Sequence, residues 1–287
     1  MPVDEDKYPA ETGRRRFVRG VVGSAALGTV SVGTAASINL ATSPTGAGGG
    51  ATQFIGIENT AGPAPRGMPI IPIEIEDGEL RGLWPEVSER TAAGRTFNVA
   101  EEEVGGTLYS SSWFQYCGVQ QYKGAQPDAD ADNVFRYGGG GFGWQADLEV
   151  GDPLEVSHFE DYREWGNGIG SPGIGKPGDA NWRTTDDGRP LPIQVLRSPE
   201  VSRMANGEGL YSDIPGDVLS FVQAATEDNF IAWLNKCTHF CCVPGFKAYA
   251  GSQRYDAGND VYCPCHQSIY DVFSPLKKQF TALPRPE

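Results

Sequence analysis

Two short stretches near the C-terminal end constrain this chain more than anything else in it. They are Cys237-Thr238-His239-Phe240-Cys241-Cys242 and Cys263-Pro264-Cys265-His266-Gln267-Ser268. Five of the six cysteines and two of the three histidines among 287 residues stand there. Soft ligands gathered in this way read as one metal site rather than as staples spread over a fold. Cys-x-His in the first stretch and Cys-x-x-His in the second supply two thiolates and two imidazoles. The short spacings let both ligands of a loop converge on one metal atom or on neighbouring ones. Taken alone, two Cys with two His is the commonest structural zinc set. Each stretch adds a further cysteine, Cys242 and Cys265, and Ser268 and Tyr270 follow His266 closely enough to donate hydrogen bonds to sulfur.

The chain is long enough to bury a real core without a disulfide framework. Its net charge of −14 excludes nucleic acid as a partner, because binding phosphates requires clustered Lys and Arg. Seven lysines stand against sixteen arginines, and carboxylates are scattered through every segment. That pattern fits a halophilic surface, on which high salt screens the self-repulsion of the acids.

Residues 1–19 are polar and end in Arg14-Arg15-Arg16-Phe17-Val18-Arg19, which matches a twin-arginine export motif. No charged side chain follows from Gly20 to Ile57, and Val21–Leu40 has about the length of a membrane span. Residues 20–41 are accordingly expected to form a hydrophobic signal or anchor helix. The arginines on its N-terminal side place the N-terminus in the cytoplasm and the remainder on the extracytoplasmic face of the cell membrane. This route carries folded cargo and suits a domain whose metal group is inserted before export. Residues 42–67, rich in Gly, Ala, Pro and Thr, read as a flexible tether.

Beyond the tether, Ile70–Glu76 alternates into a strand that turns at Asp77-Gly78, and further Gly-rich turns stand at Gly105-Gly106 and Gly138–Gly141. Asp217–Val222 and Phe230–Leu234 read as two strands leading into the first cysteine loop. The expected class is mostly β, an antiparallel sandwich or open barrel with long irregular insertions. Gly168–Gly173 has glycines at nucleotide-loop spacing, but Pro172 and Pro177 spoil the helix such a loop needs. Asp128–Asn133 begins like a calcium loop and lacks its later ligands, so it reads as an acidic surface loop. Phe159, Tyr162 and Trp165 read as packing, and the isolated His158 and Cys117 as satisfied core residues.

The two stretches resemble the paired boxes of Rieske iron–sulfur proteins, C-T-H-L-G-C and C-P-C-H-G-S. Together with the export segment, they resemble the Rieske subunit of quinol-oxidising cytochrome bc complexes. The likeness covers the N-terminal 40 residues and about 217–287. It implies a Rieske-type domain over 68–287, with a cluster-binding subdomain at about 235–284. It also implies a [2Fe–2S] cluster held by Cys237 and Cys263 on one iron and His239 and His266 on the other. A Cys242–Cys265 disulfide would join the loops, with the adjacent Cys241 as the alternative partner of Cys265, and Ser268 and Tyr270 would act as hydroxyl donors to the cluster. The implied partners are a cytochrome b-type membrane subunit, a quinol such as menaquinol meeting His266 and His239, and a cytochrome or copper-protein acceptor. A Rieske subunit of an exported nitrate reductase or arsenite oxidase is the alternative within the family, and a zinc-stabilised binding module is the alternative outside it. Phe240 stands at a Leu of the family pattern, and Cys241 and Gln267 stand at its glycines, so Cys241→Gly is expected to be tolerated. The family's cluster-covering Gly-Pro-Ala-Pro loop is expected at Thr281-Ala282-Leu283-Pro284.

Overall fold

The computed structural model describes residues 49–92, 94–186 and 188–285. The export motif, the 20–41 helix and the start of the tether lie outside them. Among the described residues no helix is long and apolar enough to cross a membrane.

Contrary to its reading as tether, much of 42–67 is structured. Gly50–Ala61 forms strand β1, whose Phe54–Ile57 centre is buried. Its Gly/Ala/Thr-rich start is a weak strand signal, and the pairing is imposed from far along the chain. Gly56 sits where a Cβ would collide with the backbone of Met68, so the close approach of the next strand requires glycine. That strand, β2 (Met68–Ile71), is fully buried, and Pro72 separates it from β3 (Ile73–Glu76). The β3 strand turns at Asp77-Gly78, both with positive φ, into β4 (Glu79–Gly82). A three-stranded ribbon follows: β5 (Val87–Ala92), β6 (Arg95–Val104) and β7 (Thr107–Ser110), the last two joined through Gly105-Gly106.

An irregular insertion of short 3-10 turns leads to β8 (Lys176–Trp182) and β9 (Leu191–Arg197). Helix α1 (Pro199–Ala205) starts on Ser198, whose hydroxyl accepts from Glu200 N. The Asp217–Val222 segment, expected as a strand, lies within helix α2 (Gly216–Ala225). Its buried residues Val218, Phe221, Val222 and Ala225 recur at helical spacing, a period that the short apolar run concealed. The expected strand over Phe230–Leu234 is β10, every residue of it buried. Two short strands, β11 (Gly245–Phe246) and β12 (Val261–Tyr262), precede the long β13 (Ile269–Ala282).

The large sheet runs β11-β12-β13-β1-β2-β10-β9-β8, antiparallel and barrel-like, nearly closed. An aromatic column fills the space beside it. Trp182 meets Trp84 and Phe114, Tyr109 packs on Phe114 and Trp113, and Trp113 reaches Phe221. Ribbon, insertion, β8 and α2 thus share one core. Phe159 and Tyr162 are buried as expected.

Gln194 of β9 ties the sheet to the cysteine loops' own small ladder. Its Oε1 accepts from Phe246 N at 2.7 Å and its Nε2 donates to Asp179 Oδ1 at 2.7 Å. Burial pushes the Asp179 carboxyl up from 3.8 to about 6, against the hydrogen bond from Gln194, which lowers it. A raised carboxyl pKa favours the protonated folded state, so the stability it lends below pH 3.8 is lost as the pH rises through about 6. Asp179→Asn is expected to stabilise the fold at pH 7 by at most about 3 kcal/mol, read as a higher melting temperature. Melting at pH 4, where the carboxyl is nearer its protonated state, should change much less.

Candidate metal centre

The strand β10 ends at Leu234, and the chain then makes the first of two loops with the same backbone. Cys237 N donates to Cys242 O at 2.8 Å, and Cys241 N donates to Cys237 O at 3.2 Å. In the second loop Cys263 N donates to Ser268 O and Gln267 N to Cys263 O, each at 2.9 Å. The leading cysteine of each loop is therefore clasped from residues four and five further on. The fourth residue on is left-handed in both, Cys241 at φ 64° and Gln267 at φ 63°. These are the two glycine positions of the Rieske pattern, and the conformation is kept without glycine at a cost of about 1–2 kcal/mol each.

This construction brings the ligand candidates together. The thiols of Cys237 and Cys263 are both free and buried. They lie within hydrogen-bonding reach of each other, and that bond, with one from Tyr270, holds Cys237 down to about 5 against the opposing effect of burial. The same bond, together with burial, pushes the Cys263 thiol up. Toward the surface, the rings of His239 and His266 stand 4.8 Å apart at 81°. His239 is half-buried, and its Nδ1 is buried without a hydrogen-bond partner. His266 is exposed, and Phe240, 65% exposed, packs against both imidazoles at 4.2 and 5.0 Å.

Tyr270 on β13 donates its hydroxyl to Cys237 Sγ at 3.2 Å and accepts from Thr238 N at 3.3 Å. Ser268 is fully buried; its hydroxyl accepts from Ala64 N at 3.2 Å, which leaves the hydroxyl proton free for another acceptor. That contact locates the covering segment. It is Gly62-Pro63-Ala64-Pro65, between β1 and β2, and not Thr281–Pro284 as expected. Thr281 and Ala282 instead pair with Ala51 and Gly50 at the far end of β13. Gly62, at φ 84°, fits because a Cβ there would lie 2.6 Å from Gln267 O and from Ser268 Cα. The next residues lock onto the other loop, as Thr238 Oγ1 donates to Arg66 O at 2.6 Å. The tetrapeptide was legible in the sequence, but its place before β2 put it inside the presumed tether.

Cys242 and Cys265 form a disulfide between the two loops, and Cys263 Sγ lies within 4.8 Å of both its sulfurs. A second disulfide joins Cys241 to Cys117, 124 residues away. Cys117 is therefore not an isolated core residue, and Cys241 is a crosslink rather than a silent glycine substitute. Beside it, Tyr116 donates its hydroxyl to Lys236 O at 3.0 Å, so the insertion braces the first loop from behind. His158 accepts from Glu155 N at 3.1 Å and its ring lies 6.1 Å from that of Trp144, tilted at 41°, apart from the cysteine loops in sequence and contact. The Gly168–Gly173 segment packs its backbone on Gly258-Asn259, with Ser171 N donating to Asn259 Oδ1 at 2.8 Å. The 128–133 loop wraps Arg183, which donates to the Ala129 and Ala131 carbonyls and to Asn133 Oδ1.

Two buried thiols side by side, an orphaned imidazole nitrogen and a second exposed imidazole form a donor set that fits a metal cluster with two Cys and two His ligands. Comparison with known proteins finds no matching family model, no matching curated protein and no matching solved structure.

Proposed function

We propose that this chain is a Rieske-type electron-transfer protein. Cys237 and Cys263 would bind one iron of a [2Fe–2S] cluster, and His239 and His266 the other. The observation that carries the reading is the buried, partnerless Nδ1 of His239, set beside His266 and in the same loop as a buried free cysteine. Two neutral imidazoles in place of two thiolates leave such a cluster less negative, so it accepts one electron at a potential of roughly −150 to +300 mV.

The surrounding residues have assignable parts. Tyr270 places an O–H on the Cys237 sulfur, where it stabilises negative charge, and Ser268 holds a second hydroxyl proton ready beside the same loops. The Gly62–Arg66 segment and the Cys242–Cys265 bridge keep water off the thiol side, while the imidazole side stays open. The electron donor we propose is a quinol: an exposed His266 next to the exposed ring of Phe240 offers a hydrogen-bonding nitrogen and an apolar face to a flat headgroup. A cytochrome b-type membrane subunit would present the quinol, and a cytochrome or copper protein would take the electron onward. Two disulfides suit an oxidising compartment, in keeping with a head held on the extracytoplasmic face.

The test is visible absorption and electron paramagnetic resonance of the purified protein. A coloured protein with a rhombic signal on reduction is expected, whereas a colourless protein that binds one zinc overturns the reading. Ser268→Ala and Tyr270→Phe should each keep the cluster and lower its midpoint potential in a redox titration. In membranes, a quinone-site inhibitor should perturb the signal; an indifferent signal would favour a subunit of an exported nitrate or arsenite enzyme.

A further inference from the structure

Four sulfurs gather between the two loops. Those of Cys242, Cys263 and Cys265 all lie within 4.8 Å of one another, although of these only Cys263 is a free thiol. The fourth, the thiol of Cys237, is within hydrogen-bonding reach of Cys263. Four thiolates at about 2.3 Å from a zinc ion stand roughly 3.8 Å apart, so small side-chain rotations would bring these sulfurs onto one ion.

The surroundings suit negative sulfur. The amides of His239 and Phe240 hydrogen-bond the Cys237 sulfur, and those of Cys265 and His266 the Cys263 sulfur. Backbone N–H groups paired in this way stabilise a thiolate whichever metal it holds. Nor do the loops depend on their own disulfide for position. Cys237 N donates to Cys242 O and Cys263 N to Ser268 O, which closes each loop on itself. Ala64 N and Arg66 O tie the second and first loops to the covering segment, and Tyr270 ties the first to β13. The Cα atoms of Cys242 and Cys265 stand 6.7 Å apart, which leaves room for an ion between two thiolates. Cys265 is exposed, so a reductant can reach this bond, whereas both cysteines of Cys117–Cys241 are half-buried.

We propose that, with the Cys242–Cys265 bond open, Cys237, Cys242, Cys263 and Cys265 form a tetrathiolate site for a soft divalent ion such as zinc, and that closing the bond dismantles it. A dithiol opens the bond: it gives two electrons and two protons, its own thiols join as a disulfide, and Cys242 and Cys265 become thiols. The entering ion then displaces the thiol protons. A disulfide oxidant, itself reduced to a dithiol, closes the bond again, withdraws two of the four ligands and frees the ion. What is left is Cys237 and Cys263 with the two imidazoles, a donor set of different softness. The disulfide is thereby a selector between two metal occupants of the same loops. This holds whichever metal group the oxidised loops carry.

The experiment is a cobalt(II) titration of the metal-free full-length protein, read as thiolate-to-cobalt charge-transfer absorption. A limiting amount of a phosphine reductant opens one disulfide, and alkylation with mass mapping should identify it as Cys242–Cys265. The reduced protein should bind one ion with about twice the absorption of the oxidised protein, as two thiolates become four. His266→Ala should keep that binding when reduced, since no imidazole takes part, and lose tetrahedral binding when oxidised. Cys242→Ser combined with Cys265→Ser should give the two-thiolate absorption with or without reductant. The proposal is overturned if Cys117–Cys241 opens first, if reduction leaves the parent's absorption unchanged, or if the doubly substituted protein still gains absorption through other cysteines. Loss of the circular dichroism of the fold on opening this one bond overturns it as well.

Discussion

His266→Ala is expected to give a folded protein with no visible absorption and no rhombic resonance. The side chain is exposed, and among the described residues its ring pairs are with His239 and Phe240 at the surface, away from the buried core. Removing it should change apo stability by no more than about 0.5 kcal/mol, the usual range for a surface site. The proposed cluster site, by contrast, would lose one of its two imidazoles, and no other histidine can substitute: the one remaining outside the loops, His158, is engaged with Glu155 N and Trp144. A fourfold donor set reduced to three should not retain a [2Fe–2S] cluster through purification. His239→Ala should do the same, with the difference that it removes a half-buried ring and an orphaned nitrogen and so costs some packing. Iron and sulfide analysis alongside circular dichroism separates loss of cluster from loss of fold. A normal cluster in His266→Ala would overturn the ligand assignment.

The second large effect is expected at Cys117. The Cys117–Cys241 bond closes a loop of 124 residues, for which the chain-entropy account gives about 5 kcal/mol, comparable to the whole stability of an ordinary domain. Cys117→Ser should therefore lower the melting temperature by about 10–20 °C, or leave the protein unfolded at growth temperature. Cys241→Gly is an informative partner to it. Glycine relieves the left-handed strain at φ 64°, worth about 1–2 kcal/mol, but gives up the same crosslink. The net should still be destabilising, and smaller than for Cys117→Ser by about that amount. Denaturant titration under non-reducing conditions measures both. If either variant unfolds at the parent's midpoint, the crosslink does not hold the native state together.

The two cysteine- and histidine-bearing loops stand out in the sequence because their candidate ligands sit within a few positions of one another. Position in the chain hid the rest. Nothing near Cys117 says that Cys241 is its partner, since a disulfide is a statement about folded distance. Asp217–Val222 looked like a strand because a six-residue apolar run carries too few turns to reveal its period; its helical identity depends on Ala225, further on. The Gly/Ala-rich start of β1 looked like linker because its strand character comes from β13, whose partner residues lie more than two hundred positions away. Gly62-Pro63-Ala64-Pro65 is hidden for the same reason, since the contacts of Ala64 N with Ser268 and of Arg66 O with Thr238 span about two hundred positions.

The pairing of β1 with β13, Gly50 opposite Ala282 and Asn59 opposite Tyr270, also sets a timetable. As the chain leaves the ribosome, β1 and the covering segment emerge early and wait for their mates. At roughly 5–20 residues per second, more than two hundred further residues take on the order of ten seconds or longer. Until Ile269–Ala282 arrives, the sheet has an open seam between its first and last strands, and Ala64 and Thr238 lack Ser268 and Tyr270 to bond to. Nascent molecules are thus exposed to unwanted strand pairing for most of their synthesis, and the two cysteine loops acquire their full surroundings only when β13 has been made.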